Sequence, residues 1–291
     1  MFADRLAQLV ATRVDRPAAI AEAAARRTRP AGITGTRGRV MMVAADHPAR
    51  GALRAGTRPM AMADRGDLLE RLCIALSRPG VNGVLGTADI LEDLLLLGAI
   101  DGKVAIGSMN RGGLAGTVFE IDDRFTGYDA ATIAAMNLDG GKMLLRIDPD
   151  DPATAPTLEA CGNAVTALAA HRLVAMVEPF ISHRVDGRIR NDLTPEAMIR
   201  AITVSSGLGA TSAYTWLKVP VVDAMERVMA ASTLPALLLG GEVPTDPATA
   251  FESWHKALQL PTVKGLVVGR SLLYPPDDDV AGAVDTAVNL L

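Results

Sequence analysis

From Arg39 onward, short runs rich in Val, Leu, Ile and Met alternate with longer amphipathic stretches. The apolar runs fall at 40–45, 82–86, 103–107, 142–147, 173–178, 214–219, 235–239 and 264–268. Helical spacing separates them, at about 64–77, 89–98, 127–138, 154–170, 194–206, 222–232, 247–258 and 278–290, with Asp64, Thr126, Thr194 and Asp246 placed to cap helix N-termini. Near-continuous apolar strands alternating with helices mark βα units around a parallel sheet. Eight consecutive units with no early Gly-x-Gly-x-x-Gly turn predict a closed (β/α)8 barrel, a TIM barrel, rather than an open dinucleotide-binding sheet. The order shows no break into a strand–strand hairpin.

Residues 2 to about 28, rich in Ala, Leu and Arg, lie outside this repeat and predict one or two preliminary helices, with Asp15 before Pro17 as an N-cap and first-turn proline. The expected organisation is an N-terminal helical extension over 1–38 and a barrel catalytic domain over 39–291. A chain of 291 residues, 49% of them hydrophobic, is large enough for one barrel with an extension. The richest loop, 107–124 after the third strand, lies on the side of a barrel where substrates bind.

A net charge of −4 provides no basic stripe for nucleic acid but leaves room for a small anionic substrate at a local positive site. Cys73 and Cys161 fall in predicted helices without metal-ligand spacing, which fits a reducing cytosol. The apolar stretch 94–100 is too short to span a bilayer, and the first residues lack the apolar core of a signal peptide. A cytoplasmic protein with no membrane partner is therefore expected, and a homo-oligomer is the expected assembly, with the N-terminal helices able to pack on their own barrel or on a neighbouring subunit.

Only five of the 29 basic residues are lysines, and Lys142 and Lys218 fall in predicted strands. Chemistry in a barrel collects at the C-terminal ends of the strands. There the first strand ends in Asp46-His47, the fourth reads Lys142-Met-Leu-Leu-Arg146-Ile-Asp148, the fifth ends in Glu178-Pro179 and the sixth carries Trp216-Leu-Lys218-Val-Pro220. Alternation puts Lys142, Leu144, Arg146 and Asp148 on one face, Met176 with Glu178, and Trp216 with Lys218. Such charges must satisfy one another or bind a charged ligand. Lys218 could snorkel to solvent; alternatively, desolvation and a neighbouring cation, Lys142 or Arg146, favour the neutral amine that attacks a carbonyl. Glu178 could pair with an arginine or move protons, and Asp46 competes for the second role. His47 is expected to be structural or to touch substrate; no spacing unites the four histidines as metal ligands. Gly240-Gly241 and Gly269-Arg270 close the last two strands, where barrels commonly grip phosphate.

These residues resemble the class I aldolases that include tagatose-bisphosphate, archaeal-type fructose-bisphosphate and deoxyribose-phosphate aldolases. The likeness covers about 38–275 and rests on Ala45-Asp46-His47-Pro-Ala-Arg50-Gly-Ala-Leu53, Lys142-x-Leu-Leu-x-x-Asp148-Pro-Asp150, Glu178-Pro179, Leu217-Lys218-Val219-x-Val221, Gly240-Gly241 and Gly269-Arg270. It implies a carbon–carbon lyase with Lys218 as Schiff-base lysine, Lys142 as second lysine, Glu178 as acid/base, a phosphate grip at the two glycine turns, and no cofactor or metal. The chain departs from better-known members in Asp46-His47-Pro48 and in Gly241-Glu242-Val243-Pro244. It looks most like an actinobacterial branch associated with inositol breakdown, which implies 2-deoxy-5-keto-gluconate 6-phosphate as substrate and dihydroxyacetone phosphate and malonate semialdehyde as products. Two other expectations stand beside it: a metal-dependent barrel lyase or hydrolase centred on Asp46, His47 and Glu178, and a non-catalytic sugar-phosphate-binding barrel.

Overall fold

The computed structural model describes residues 2–35, 38–241, 243 and 247–291. Among these, nine strands form one sheet: β1 (Val40–Ala44), β2 (Gly83–Gly86), β3 (Val104–Ser108), β4 (Gly140–Ile147), β5 (Val174–Val185), β6 (Arg188–Asp192), β7 (Thr215–Val219), β8 (Ala236–Leu239) and β9 (Val263–Val268). Eight of them pair in parallel in the cyclic order β1-β2-β3-β4-β5-β7-β8-β9, and β9 pairs back onto β1, closing a (β/α)8 barrel. Sequential parallel strands need a crossover, and the helices supply it.

The helices are α1 (Phe2–Asp15), α2 (Ala19–Arg26), α3 (Arg65–Ser77), α4 (Ala88–Leu96), α5 (Ala130–Ala135), α6 (Thr154–Ala170), α7 (Pro195–Ser206), α8 (Met225–Met229), α9 (Pro247–Leu258), α10 (Arg270–Leu273) and α11 (Val280–Val288). Asp64 and Thr194 cap α3 and α7 by accepting from the Asp67 and Ala197 amides. Thr126 does not cap α5. Asp129 does, accepting from Thr132 N, so that helix starts later than its periodicity suggests. Asp15 is the last residue of α1 and Pro17 lies in the turn before α2, so neither opens a helix. Asp246 lies outside the described residues.

One expectation fails outright, because β5 runs past Glu178 and turns back as β6 in an antiparallel hairpin. The turn is Asp186-Gly187, both with positive φ (50° and 74°), the geometry that suits the twist of two joined strands. Beyond Val177, β5 pairs with β4 but not β7, so Pro179 stands where the β7 side asks for no backbone N–H.

Side chains of the barrel strands alternate between two cores. Met41, Val43, Met143 and Val177 face the helices. Val40, Met42, Val104, Ile106, Val174 and Leu237 fill the interior, where Ile33 from the N-terminal segment packs against them. That segment is fixed by a buried ion pair, Arg27 to Asp139 at 2.6 Å, with Arg29 on the other Asp139 oxygen at 2.8 Å. Asp139 also accepts from the Ala105 amide, tying the pair to the start of β3.

Gly265 marks a shift in register between β8 and β9: Ala236 pairs with Val263 but Leu237 with Gly265, which leaves Lys264 as the extra residue. With φ at +146°, a Cβ on Gly265 would run into the backbone of Val40. Gly265→Ala is expected to cost about 3 kcal/mol or more in urea unfolding, and a change within about 0.5 kcal/mol would contradict the close approach of β1 and β9.

Candidate active site

The same alternation that fills the barrel with apolar groups places the polar ones. Val40, Met42 and Ala44 point inward on β1, so the next inward position past the strand end is Asp46. By the same count Val104 and Ile106 lead to Ser108, and Val174 and Met176 lead to Glu178. Trp216 lies against the interior cluster and puts Lys218 one step above it. Lys142 on β4 lies beside Ser108 on β3, its register partner. The barrel is thus apolar at one level and charged at the next.

At the charged level, Glu178 bridges two lysines. Its Oε1 accepts from Lys218 Nζ at 3.0 Å, and its Oε2 lies 2.5 Å from Lys142 Nζ. Lys142 also donates to Asp46 Oδ2 at 3.1 Å. Exposure is 2% for Lys142, 4% for Lys218, 8% for Glu178 and 1% for Asp46, so these are buried charges that depend on one another. Asp46 Oδ2 also accepts from Ser108 Oγ at 3.1 Å and lies 3.0 Å from Arg111 Nη1. His47 Nδ1 stands 3.9 Å from the other Asp46 oxygen, beyond hydrogen-bond reach.

Burial works against the charged forms of Glu178, Asp46, Lys142 and His47, and the neighbours decide the outcome. For Glu178 it is outweighed by Lys142 and Lys218, which hold the carboxyl far below its usual range. Asp46 is likewise kept ionised, by Lys142, Arg111 and Lys218. Burial lowers Lys142 to about 8, with Arg111 adding to the effect and Asp46 and Glu178 resisting it. It lowers His47 to about 3, helped by Arg270 and both lysines against the pull of Asp46, so this imidazole is neutral near pH 7.

The group opens into a cleft of about 400 Å³ at the C-terminal mouth of the barrel. Asp46, His47, Arg50, Lys142, Arg146, Glu178, Lys218, Gly240, Gly241, Gly269 and Arg270 all line it. Arg146, however, belongs to another part of the cleft: it pairs with Glu120 at 3.0 Å, while Arg50 pairs with Asp123 at 2.8 Å. Arg146 is therefore not the cation beside Lys218. Lys142 is. Across the mouth, Arg270 donates to Gly241 O at 3.2 Å, joining the ends of β8 and β9. Gly269 has no room for a side chain, since a Cβ would press on Ala44 O and on the His47 ring. Glu242 and Pro244, where the chain departs from the better-known aldolases, lie outside the described residues.

Sequence reasoning missed Ser108, Arg111, Phe180, Asn191 and Leu193. Ser108 follows from the β3 alternation, and Phe180 from continuing that of β5. Asn191 and Leu193 reach the cleft through the hairpin, whose Asp-Gly turn was the available signal. Arg111 lies in an irregular loop, whose folding no periodicity reveals. His183 is on β5, paired with Arg190. Among the described residues, no three His, Cys, Asp or Glu side chains come together as metal ligands, and no helix is long and apolar enough to cross a membrane. Cys73 and Cys161 are free thiols.

Comparison with known proteins bears on this arrangement. A family model described as Cgl0159-like matches residues 38–288. The chain belongs to the Cgl0159-like family. It is similar to the crystal structure of Cgl0159 from Corynebacterium glutamicum, with 52% identity, 99% of this chain and 96% of that one covered, and a TM-score of 0.96. An archaeal fructose 1,6-bisphosphate aldolase shares the fold at 17% identity and a TM-score of 0.65, over 93% of this chain and 98% of that one. A fructose-bisphosphate aldolase from Slackia heliotrinireducens does so at 18% identity and 0.61, over 87% and 85%. A search of curated proteins finds no match.

In this member of the Cgl0159-like family, His47 makes the site acid-sensitive. Below its ordinary value of 6.5 the unfolded chain takes up a proton that the folded imidazole refuses, so stability falls as pH drops from 6.5 toward 3. The ionised Asp46 and Glu178 add a second loss, which begins near their ordinary values of 3.8 and 4.5. His47→Gln should recover about 1 to 2 kcal/mol at pH 5 relative to pH 7 in urea titrations. An unchanged pH slope would contradict a neutral, half-buried His47.

Proposed function

We propose that this protein is a class I aldolase that cleaves and joins a phosphorylated ketose or keto-acid through a Schiff base on Lys218. The observation that carries this reading is Glu178 bridging two buried lysines at the barrel mouth, one of them at the end of β7. Two structural neighbours at 16–17% identity are described as a Schiff-base-forming fructose-1,6-bisphosphate aldolase and an archaeal aldolase whose catalytic lysine is covalently bound to the carbinolamine intermediate of its substrate. A shared fold at that identity leaves the chemistry to be argued from the site.

The neutral Lys218 amine adds to the substrate ketone carbon, its proton passes to the network, and the carbonyl oxygen gains a proton to give the carbinolamine. Loss of water leaves an iminium on Lys218 Nζ. Deprotonation of the hydroxyl on the far carbon of the bond to be broken, two carbons from the iminium carbon, then forms the new carbonyl and sends the C–C electron pair into the iminium. An aldehyde departs and an enamine remains; the enamine carbon takes a proton, and water hydrolyses the imine to free the second product. Glu178 is the better-placed proton shuttle, because it touches both lysines, whereas Asp46 Oδ2 is already taken by Lys142, Ser108 and Arg111. Lys142 holds Glu178 ionised and faces Lys218 across it.

Gly240, Gly241, Gly269 and Arg270 receive the phosphate, with His47 closing the pocket beside Gly269. A phosphorylated keto-acid such as 2-deoxy-5-keto-gluconate 6-phosphate belongs to the substrate class this site would take.

Imine formation exchanges the ketone oxygen with solvent. Incubating dihydroxyacetone phosphate with the protein in ¹⁸O-water should label its carbonyl, and Lys218→Ala should slow that exchange by about a thousandfold or more. Labelling that survives Lys218→Ala would overturn the assignment. The exchange rate should also rise with pH through about 8, as the coupled lysine–glutamate network gives up its most labile proton. Lys142→Met should remove that rise; a profile flat across pH 7 to 9 in the native protein would count against the relay.

A further inference from the structure

Opposite the phosphate grip, three arginines converge with donors left over. Arg50 stands on the 3-10 turn after β1, Arg111 on the loop after β3, and Arg146 at the end of β4. Arg50 and Arg111 are buried, and the Arg146 side chain is 14% exposed. Their carboxylate partners are few. Glu120 and Asp123 serve Arg146 and Arg50 but also accept from the Gly116 and Gly113 amides of their own loop. Arg111 leans on Asp46, which Lys142 already claims. Four buried nitrogens, Arg50 Nη2, Arg111 Nη2, Arg146 Nε and Arg146 Nη1, have no hydrogen-bond partner among the described residues. A buried guanidinium donor without an acceptor costs a desolvation penalty that a bound anion would relieve.

Position in the barrel gives this cluster a meaning. In the closed strand order, β3 lies directly across from β8, and β4 directly across from β9. The glycine turns of the phosphate grip close β8 and β9; the arginines gather over β3 and β4. Both sets line the same cleft as Lys218. We infer that Arg50, Arg111 and Arg146 form a second anion subsite, so that the substrate of this enzyme carries an anionic group at each end, a phosphate at the glycine turns and a carboxylate or second phosphate at the arginines. This inference rests on the aldolase reading for the role of Lys218, but not for the subsite itself. Burial and the neighbouring Arg146 lower Arg50 to about 10, as expected where like charges crowd without enough counter-charge.

A simpler role for the arginines is to pin the 109–124 loop to the barrel, and the test must separate the two. Half-saturating concentrations are measured for three ligands: fructose 1-phosphate, with one terminal anion; fructose 1,6-bisphosphate, with two phosphates; and 2-keto-3-deoxy-6-phosphogluconate, with a phosphate and a carboxylate. Thermal shift is used throughout, and borohydride inactivation reports the imine in parallel. At least one doubly anionic ligand should bind about tenfold or more tightly than fructose 1-phosphate, the worth of one good charge-assisted contact. Which of the two it is tells phosphate from carboxylate. That ratio should fall toward one in Arg111→Gln and in Arg146→Gln, whereas a purely structural role would weaken all three ligands alike.

Equal binding of singly and doubly anionic ligands by the native protein overturns the subsite and requires no variant to fold. Repeating the thermal shifts on Lys218→Ala keeps the two readings apart. A preserved two-anion preference without borohydride inactivation of the native protein condemns the imine alone; inactivation without the preference condemns the subsite alone.

Discussion

Two ammonium groups buried at one level of a barrel cannot both stay charged without a shared counter-ion, and Glu178 is that counter-ion. Its two oxygens point at two different strands, Oε1 toward Lys218 on β7 and Oε2 toward Lys142 on β4. The strand carrying Glu178 lies between those two in the sheet, so the bridge follows from strand order as much as from side-chain length. Remove the carboxylate and the lysines face each other in a site that water does not reach freely. That outcome is far costlier than losing a surface ion pair.

The rest of the barrel supports this cluster by keeping its lower level dry. Val40, Met42, Val104, Ile106 and Val174 occupy the inward positions one to three steps below the polar level, and Ile33 packs against them from the N-terminal segment. A low-dielectric floor strengthens each contact above it and raises the penalty for any group left unpaired. The response of each group follows from how many partners it has. Asp46 and Glu178, each facing more than one cation, remain ionised, whereas His47, desolvated, 3.9 Å from its carboxylate and facing other cations, gives up its charge.

The barrel, its strand positions and the lining residues Asp46, Lys142, Glu178 and Lys218 were legible because one regular rule, inward–outward alternation, governs them all. The rule extends one position past several strands, and Ser108 could have been read by the same count. Where the backbone leaves that rule, so does the reading. Asp186-Gly187 turns β5 back on itself, and that hairpin brings Asn191 and Leu193 to the cleft. The carboxylate that starts α5 is Asp129, three residues after the threonine that looked suitable, because a cap is chosen by local geometry and both residue types qualify. Arg111 was invisible for a different reason. Its place beside Asp46 is set by the path of an irregular loop whose glycines pack against its own backbone. The split of the arginines was equally hidden: Arg146 shares a strand face with Lys142, but its reach carries it to Glu120.

The central claim is that Lys218, and not its buried neighbour Lys142, carries the covalent chemistry. Peptide mass spectrometry after borohydride reduction in the presence of dihydroxyacetone phosphate tests this most directly. The account predicts a single modified peptide, with the added triose phosphate on Lys218. Modification of Lys142 instead, or no adduct at saturating ligand, would contradict it.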